Sequence, residues 1–275
     1  MAIINGTSAN DSLSGTTGAD FIYGFDGHDS MFGDDGDDSI YGGNGHDTIN
    51  GGLGADYMEG NDGDDAYIVD NAGDVVVELS GEGDFDIVYT TLSTYTLPAE
   101  VEDLRWNTSG SFTGTGNALD NTIWGGGSND VLSGGDGNDE LLSGGGNDVL
   151  NGGDGDDYLD GSSGADVYTG GAGSDLIRIG FFESGNGAAA DRITDFATGA
   201  DIVDVSAWDA NRNLAGNQAF TFIGGAAFSG TAGELRTYFD GTDTWAQADR
   251  NGDSVADFEI RFDGNVSLTG SDFIL

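Results

Sequence analysis

Apolar residues recur at every ninth position through two stretches of the chain. The first series is Leu13, Ile22, Met31, Ile40, Ile49, Met58 and Tyr67, and the second is Ile123, Leu132, Leu141, Leu150, Leu159, Tyr168 and Ile177. The background is 37% hydrophobic residues, so an unbroken run at all these positions has a chance probability of about one in a million. One apolar residue between two polar ones predicts a short strand with a single buried side chain. Each strand is preceded by a glycine-rich stretch, and a full copy approximates Gly-Gly-x-Gly-x-Asp-x-apolar-x. Glycines at those positions allow turns that need positive φ. Turn, strand, turn, strand closes one coil in eighteen residues. One coil cannot bury its own face, so coils must stack. The expected fold class is therefore all-β: a parallel β-roll, that is a right-handed β-solenoid, in two blocks, followed by a β-rich C-terminal region.

Two residues before every apolar position but one stands a carboxylate. These are Asp11, Asp20, Asp29, Asp38, Asp47, Asp56 and Asp65 in the first run. In the second run Asn121 takes the first slot, followed by Asp130, Asp139, Asp148, Asp157, Asp166 and Asp175. Stacked coils lie about 4.8 Å apart, so repeats two apart would line up columns of like charge that repel. A thin core cannot carry that cost, but a hard divalent cation reverses its sign. Calcium takes oxygen ligands from carboxylates and backbone carbonyls, and glycine-rich turns offer both. Magnesium fits less well, because it demands a strict octahedron and keeps its waters. Pairing repeats two apart in both runs predicts about ten calcium ions in all.

Composition sharpens this reading. Fifty Asp and Glu face seven basic residues, for a net charge of −43, and no Lys or Arg precedes Arg105. Such a chain could be disordered, but the strictly spaced ladder argues for a fold. Nucleic acid and anionic membrane surfaces are excluded as partners on charge. No apolar run reaches the length of a membrane span. With no cysteine there are no disulfides, so metal must supply the stability that cross-links would otherwise give. The N-terminus lacks the charged and apolar regions of a cleavable signal peptide.

Both runs resemble the nonapeptide repeats of the RTX (repeats-in-toxin) family of secreted bacterial proteins. Gly42-Gly43-Asn44-Gly45-His46-Asp47-Thr48-Ile49-Asn50 and Gly152-Gly153-Asp154-Gly155-Asp156-Asp157-Tyr158-Leu159-Asp160 carry the match. Departures gather at the starts, with Ala9, Leu119 and Ser128 at the fourth-position glycine and Asn121 at an aspartate. The first coil of each run is therefore expected to bind calcium weakly or to act as a cap. The resemblance implies secretion into an extracellular space by the type I ABC export machinery of a Gram-negative bacterium. Ser271-Asp272-Phe273-Ile274-Leu275 resembles the uncleaved C-terminal signal that such machinery reads, and it could equally be a last strand closing the domain.

Four segments are expected: a first roll over 1–70, a β-rich spacer over 71–115, a second roll over 116–180 and a C-terminal region over 181–275. The last contains Asp191-Arg192-Ile193-Thr194-Asp195-Phe196, Asp201-Ile202-Val203-Asp204-Val205-Ser206 and Gly233-Glu234-Leu235-Arg236, which resemble the segment after the repeats in serralysin-type metalloproteases and alginate epimerase modules. Asp249, Asn251, Asp253 and Asp257 offer oxygens at loop positions one, three, five and nine, a further candidate calcium loop. It departs from an EF-hand, because glycine stands at position four and Ile260 at position twelve.

No catalytic constellation emerges. There is no His-Glu-x-x-His helix, no Gly-x-Ser-x-Gly elbow and no cysteine nucleophile. His28 and His46 share the fifth repeat position and should stack on adjacent coils. Phe21, Tyr23, Tyr41 and Tyr57 point outward from the first roll, and Val131, Val149 and Val167 from the second, as surfaces for docking or for a glycan. The expected function is a non-catalytic, calcium-folded secreted protein of matrix, adhesion or surface type. The alternatives are the calcium-binding and export module of a secreted enzyme lacking its catalytic domain, and a polysaccharide-binding module.

Overall fold

The nine-residue period is built as two short parallel strands per coil, one in each of two sheets. This is seen in a computed structural model that describes residues 1–83, 85–180 and 189–275. The boundary expected at residue 181 falls outside the described residues. Two compact units divide the chain, Met1–Trp124 and Gly125–Leu275.

In the first unit one sheet runs through Ile3–Asn5, Phe21–Asp26, Ser39–Asn44, Tyr57–Asp62 and Val75–Val77. The opposite sheet takes the alternate repeats, Ser12–Thr16, Ser30–Asp34, Thr48–Asn50 and Ala66–Val69. Three strands within residues 71–115, read from the sequence as a spacer, extend these sheets. Val75–Val77 joins the first, and Ile87–Thr90 and Asp103–Trp106 join the second. The register follows the apolar period: Ile22 pairs with Ile40, Ile40 with Met58, and Met58 with Val76. On the other face Met31 pairs with Ile49, Ile49 with Tyr67, Tyr67 with Val88, and Val88 with Leu104. Ile22, Met31, Ile40, Ile49, Met58, Tyr67, Val88 and Leu104 are fully buried and form the core ladder.

The second unit repeats the plan. Leu132 pairs with Leu150 and Leu150 with Tyr168, while Leu141 pairs with Leu159 and Leu159 with Ile177. Asp191–Ile193 and Ile202–Asp204 then continue the two sheets. An antiparallel meander, Glu234–Phe239, Thr244–Asp249 and Phe258–Phe262, docks along Asp191–Ile193. The C-terminal strand Phe273–Ile274 pairs with Ile202–Asp204, and Phe273 is buried. Among the described residues no helix is long and apolar enough to cross a membrane.

The turns explain the glycines. Gly43 and Gly45 have φ of 113° and 131°, and a Cβ on either would strike the backbone of the coil before it. A side chain there would both strain the turn and separate the coils.

Candidate metal centres

The repeat aspartates face inward at the two edges of each roll. In the first unit Asp29, Asp47 and Asp65 follow Asp11 along one edge, and Asp20, Asp38 and Asp56 line the other. All but the partly exposed Asp11 are 1–2% exposed. Each is held by its predecessor in the column. The backbone N–H of Asp29 donates to Asp47 Oδ1 at 2.7 Å, that of Asp38 to Asp56 Oδ1 at 2.8 Å, and that of Asp47 to Asp65 Oδ1 at 2.6 Å. In the second unit the N–H groups of Asp130, Asp139, Asp148 and Asp157 donate in the same way to Asp148, Asp157, Asp166 and Asp175.

This ladder satisfies one carboxylate oxygen and strands the other. Oδ2 of Asp29, Asp38, Asp47, Asp56 and Asp65 is buried with no hydrogen-bond partner among the described residues. A Cβ added to Gly24, Gly33 or Gly42 would collide with the Oδ2 of the aspartate five residues on and with the carbonyl oxygen of the glycine eighteen residues on. Carboxylate and carbonyl oxygens therefore converge at each turn with no donor between them. An orphaned buried anion costs more than a lost hydrogen bond. The donor set, all hard oxygen, fits calcium.

The electrostatics agree. Burial, opposed in part by the backbone N–H, pushes Asp47, Asp56 and Asp175 up to about 6. Burial carries Asp166 to about 8 and Asp65 to about 9, and neighbouring carboxylates push the same way.

Edge coils are closed by protein donors. Thr7 N–H and Oγ1 donate to Asp11 Oδ2 at 2.6 and 2.8 Å, and Thr16 N–H and Oγ1 each donate to Asp20 Oδ2 at 2.7 Å. The Thr16 hydroxyl heads the causes that hold Asp20 below the usual carboxylate range. Asn121 brings its own donor to this turn: its Nδ2 donates to the carbonyls of Val101 and Glu102, and its Oδ1 accepts from Asn117 N–H. Mid-roll coils differ at this turn position, where Phe25, Asp34 and Asn61 adopt positive φ of 70–78°.

The columns extend beyond the residues singled out in the sequence. Asp56 N–H donates to Asp74, Asp65 N–H to Asp86, Asp166 N–H to Asp191 and Asp175 N–H to Asp201. Asp74 was within reach of sequence reasoning, since it lies nine residues after Asp65 and two before Val76. Asp86, Asp191 and Asp201 fall off the period, and only the fold identifies them.

The candidate loop at 249–257 is arranged differently. Asp249 is fully buried, and its oxygens accept the N–H groups of Asn251, Gly252 and Ser254. Asp257 accepts from Arg250 N–H and Asn251 Nδ2, and Asp253 from Val255 N–H. His28 and His46 do stack, with ring centres 4.9 Å apart and planes 6° apart. Each Nδ1 accepts a backbone N–H eighteen residues on, from His46 and Asp64 respectively.

Comparison with known proteins gives a family match over the repeats. Residues 5–40, 32–67, 41–76, 115–150 and 142–177 match the family described as RTX calcium-binding nonapeptide repeat (4 copies). Among solved structures, the AlgE6R2 subunit of the Azotobacter vinelandii mannuronan C5-epimerase is 28% identical, with 59% of this chain and 90% of that chain covered and a TM-score of 0.28. The AlgE6R3 subunit of the same enzyme is 27% identical, with 57% and 78% covered and a TM-score of 0.26. No curated protein matches the chain. The two blocks of stacked coils, residues 5–76 and 115–177, thus belong to the RTX calcium-binding nonapeptide repeat family.

Proposed function

We propose that this chain is a secreted, non-catalytic protein whose chemistry is calcium capture coupled to folding. The observation that carries the reading is the series of buried Asp Oδ2 atoms with no partner among the described residues, in a stretch with no Lys or Arg before Arg105. Asp29, Asp38, Asp47, Asp56 and Asp65, with Asp130, Asp139, Asp148, Asp157, Asp166 and Asp175, are the proposed ligands, together with turn carbonyls. Asp11 and Asp20 act chiefly as caps. Pairing of turns two repeats apart among these aspartates gives about seven ions, three short of the ten expected from all fourteen repeats, because Asp11, Asp20 and Asn121 close their own turns.

Binding only the folded form, calcium would drive folding by mass action. Without calcium the carboxylates repel and the chain stays extended, a state suited to passage through a narrow type I export channel. In the folded unit the tail that resembles an export signal is a paired strand, Phe273–Ile274. It would be readable before folding and sheltered afterwards. The test is a calcium titration of the full chain followed by far-UV circular dichroism, with ion counting by equilibrium dialysis. Fewer than about four bound ions at saturation would remove the pairing scheme.

A second reading has one observation of its own. Tyr23 and Tyr41 stack with ring centres 5.1 Å apart, and Tyr41 meets Tyr57 at 5.7 Å. This outward aromatic stripe suits a polysaccharide, and binding to a glycan array that is lost in Tyr41→Ala would support that role.

A further inference from the structure

The carboxylates that end one edge of the first unit are not all supplied by repeats. Asp65 comes from the last nonapeptide of the first run, while Glu78 and Asp86 come from the segment after it. One oxygen from each lies within 4.8 Å of the others, and the three residues are 1%, 6% and 1% exposed. Asp65 Oδ2 and Glu78 Oε2 are both buried with no hydrogen-bond partner among the described residues. The Tyr67 hydroxyl donates to Glu78 Oε1, and Asp65 N–H donates to Asp86 Oδ1. A Cβ on Gly60 would collide with Asp65 Oδ2, the Tyr67 hydroxyl oxygen and Glu78 Oε1 together, so glycine keeps open a space ringed by oxygens.

The second unit solves the same problem differently. There Tyr168 occupies the position of Tyr67, and its hydroxyl accepts Gly161 N–H at 3.2 Å. The nearby Asp160 is paired with Arg178 at 3.1 Å. Among the described residues before Arg105 no such pair can form, because that stretch holds no Lys or Arg. Three buried carboxylates without a basic side chain call for an outside cation.

We propose that Asp65, Glu78 and Asp86 hold a calcium ion of their own, in a site built by the segment after the repeats. The proposal rests on the calcium chemistry of the function above but not on the pairing of repeat turns. Three carboxylates give this site more formal charge than a turn whose other ligands are carbonyls, so it fills first as calcium rises. It would anchor residues 78–86 to the last repeat and close that edge of the roll.

Crystals of the full chain grown with calcium, mapped by anomalous scattering, test this directly. The expected result is a peak coordinated by Asp65, Glu78 and Asp86. Peaks along the aspartate columns with none at this cluster overturn the proposal and leave the column reading standing. A peak here with none in the columns does the reverse. In solution, Glu78→Gln is expected to raise the calcium midpoint of folding about tenfold. If no cation binds, the same change removes one of three mutually repelling buried charges and lowers the midpoint. A lowered or unchanged midpoint overturns the proposal, and the crystal experiment needs no variant to fold.

Discussion

An aspartate in mid-roll and one at the edge share a motif but not an environment. Asp47 is buried, gives one oxygen to Asp29 N–H and leaves the other unpartnered among the described residues. Asp11 is partly exposed, and its second oxygen is taken by Thr7. Asp47→Ala is therefore expected to raise the calcium midpoint about tenfold, the equivalent of ~1.4 kcal/mol from one lost charged ligand. Asp11→Ala should move it less than about twofold. Parallel calcium titrations followed by strand signal decide the matter, and equal midpoints for both variants would remove the reason for calling these aspartates ligands. Phe25 offers an independent check on the turns. It holds φ of +78° with half its surface exposed. Because a non-glycine residue there is strained by about 1 kcal/mol or more, Phe25→Gly should stabilise the calcium-loaded chain by roughly 1 kcal/mol in denaturant melts.

At the scale of the strand and turn, glycine decides whether coils can stack. A Cβ on Gly42 would meet Asp47 Oδ2 and the carbonyl of Gly60, whereas one on Gly18 would meet nothing within 4 Å. Gly42→Ala should cost about 3 kcal/mol or more, and Gly18→Ala less than about 0.5 kcal/mol. Thermal melts in saturating calcium measure both, and similar losses would contradict the close approach of the coils. The same contrast shows what could be read from the chain before its fold was known. The ladder from Ile22 to Tyr67 and the carboxylates beside it were legible because each strand needs one buried side chain at a fixed interval. Val76 and Asp74 keep that interval and were legible too, though the expected roll stopped at residue 70. Val88 with Asp86, Leu104, and Ile193 with Asp191 occupy the same places in the sheets but follow turns of other lengths. Strand pairing tolerates such insertions, while a count of nine does not. The Glu78 cluster was hidden for the same reason, since its members converge only when a turn of irregular length folds back.

The whole molecule carries a charge of −43, so its stability must depend on what neutralises that charge. Protons and calcium compete for the same oxygens, and the sign of the pH effect follows from burial. In the metal-free fold Asp47, Asp56 and Asp175 are pushed to about 6, Asp86 and Asp191 to about 7, Asp166 to about 8 and Asp65 to about 9. In the unfolded chain each would titrate near ~3.9. A carboxyl group raised on folding holds its proton more tightly in the native state. Its contribution is therefore favourable at low pH and is lost as pH climbs through the window from about 4 to about 9. Calcium reverses this trend, because its ligands must be deprotonated to bind. Three outcomes are expected from circular dichroism of the full chain. In excess chelator at about pH 8 the strand signal collapses, and magnesium does not restore it. In the same chelator at about pH 4.5 part of the signal returns, because protons occupy the orphaned oxygens. In calcium at about pH 8 the signal is complete, and the midpoint shifts to higher calcium as the solution is acidified. A metal-free chain with more strand structure at pH 8 than at pH 4.5 would contradict the account, since the buried columns would then be stable as bare anions.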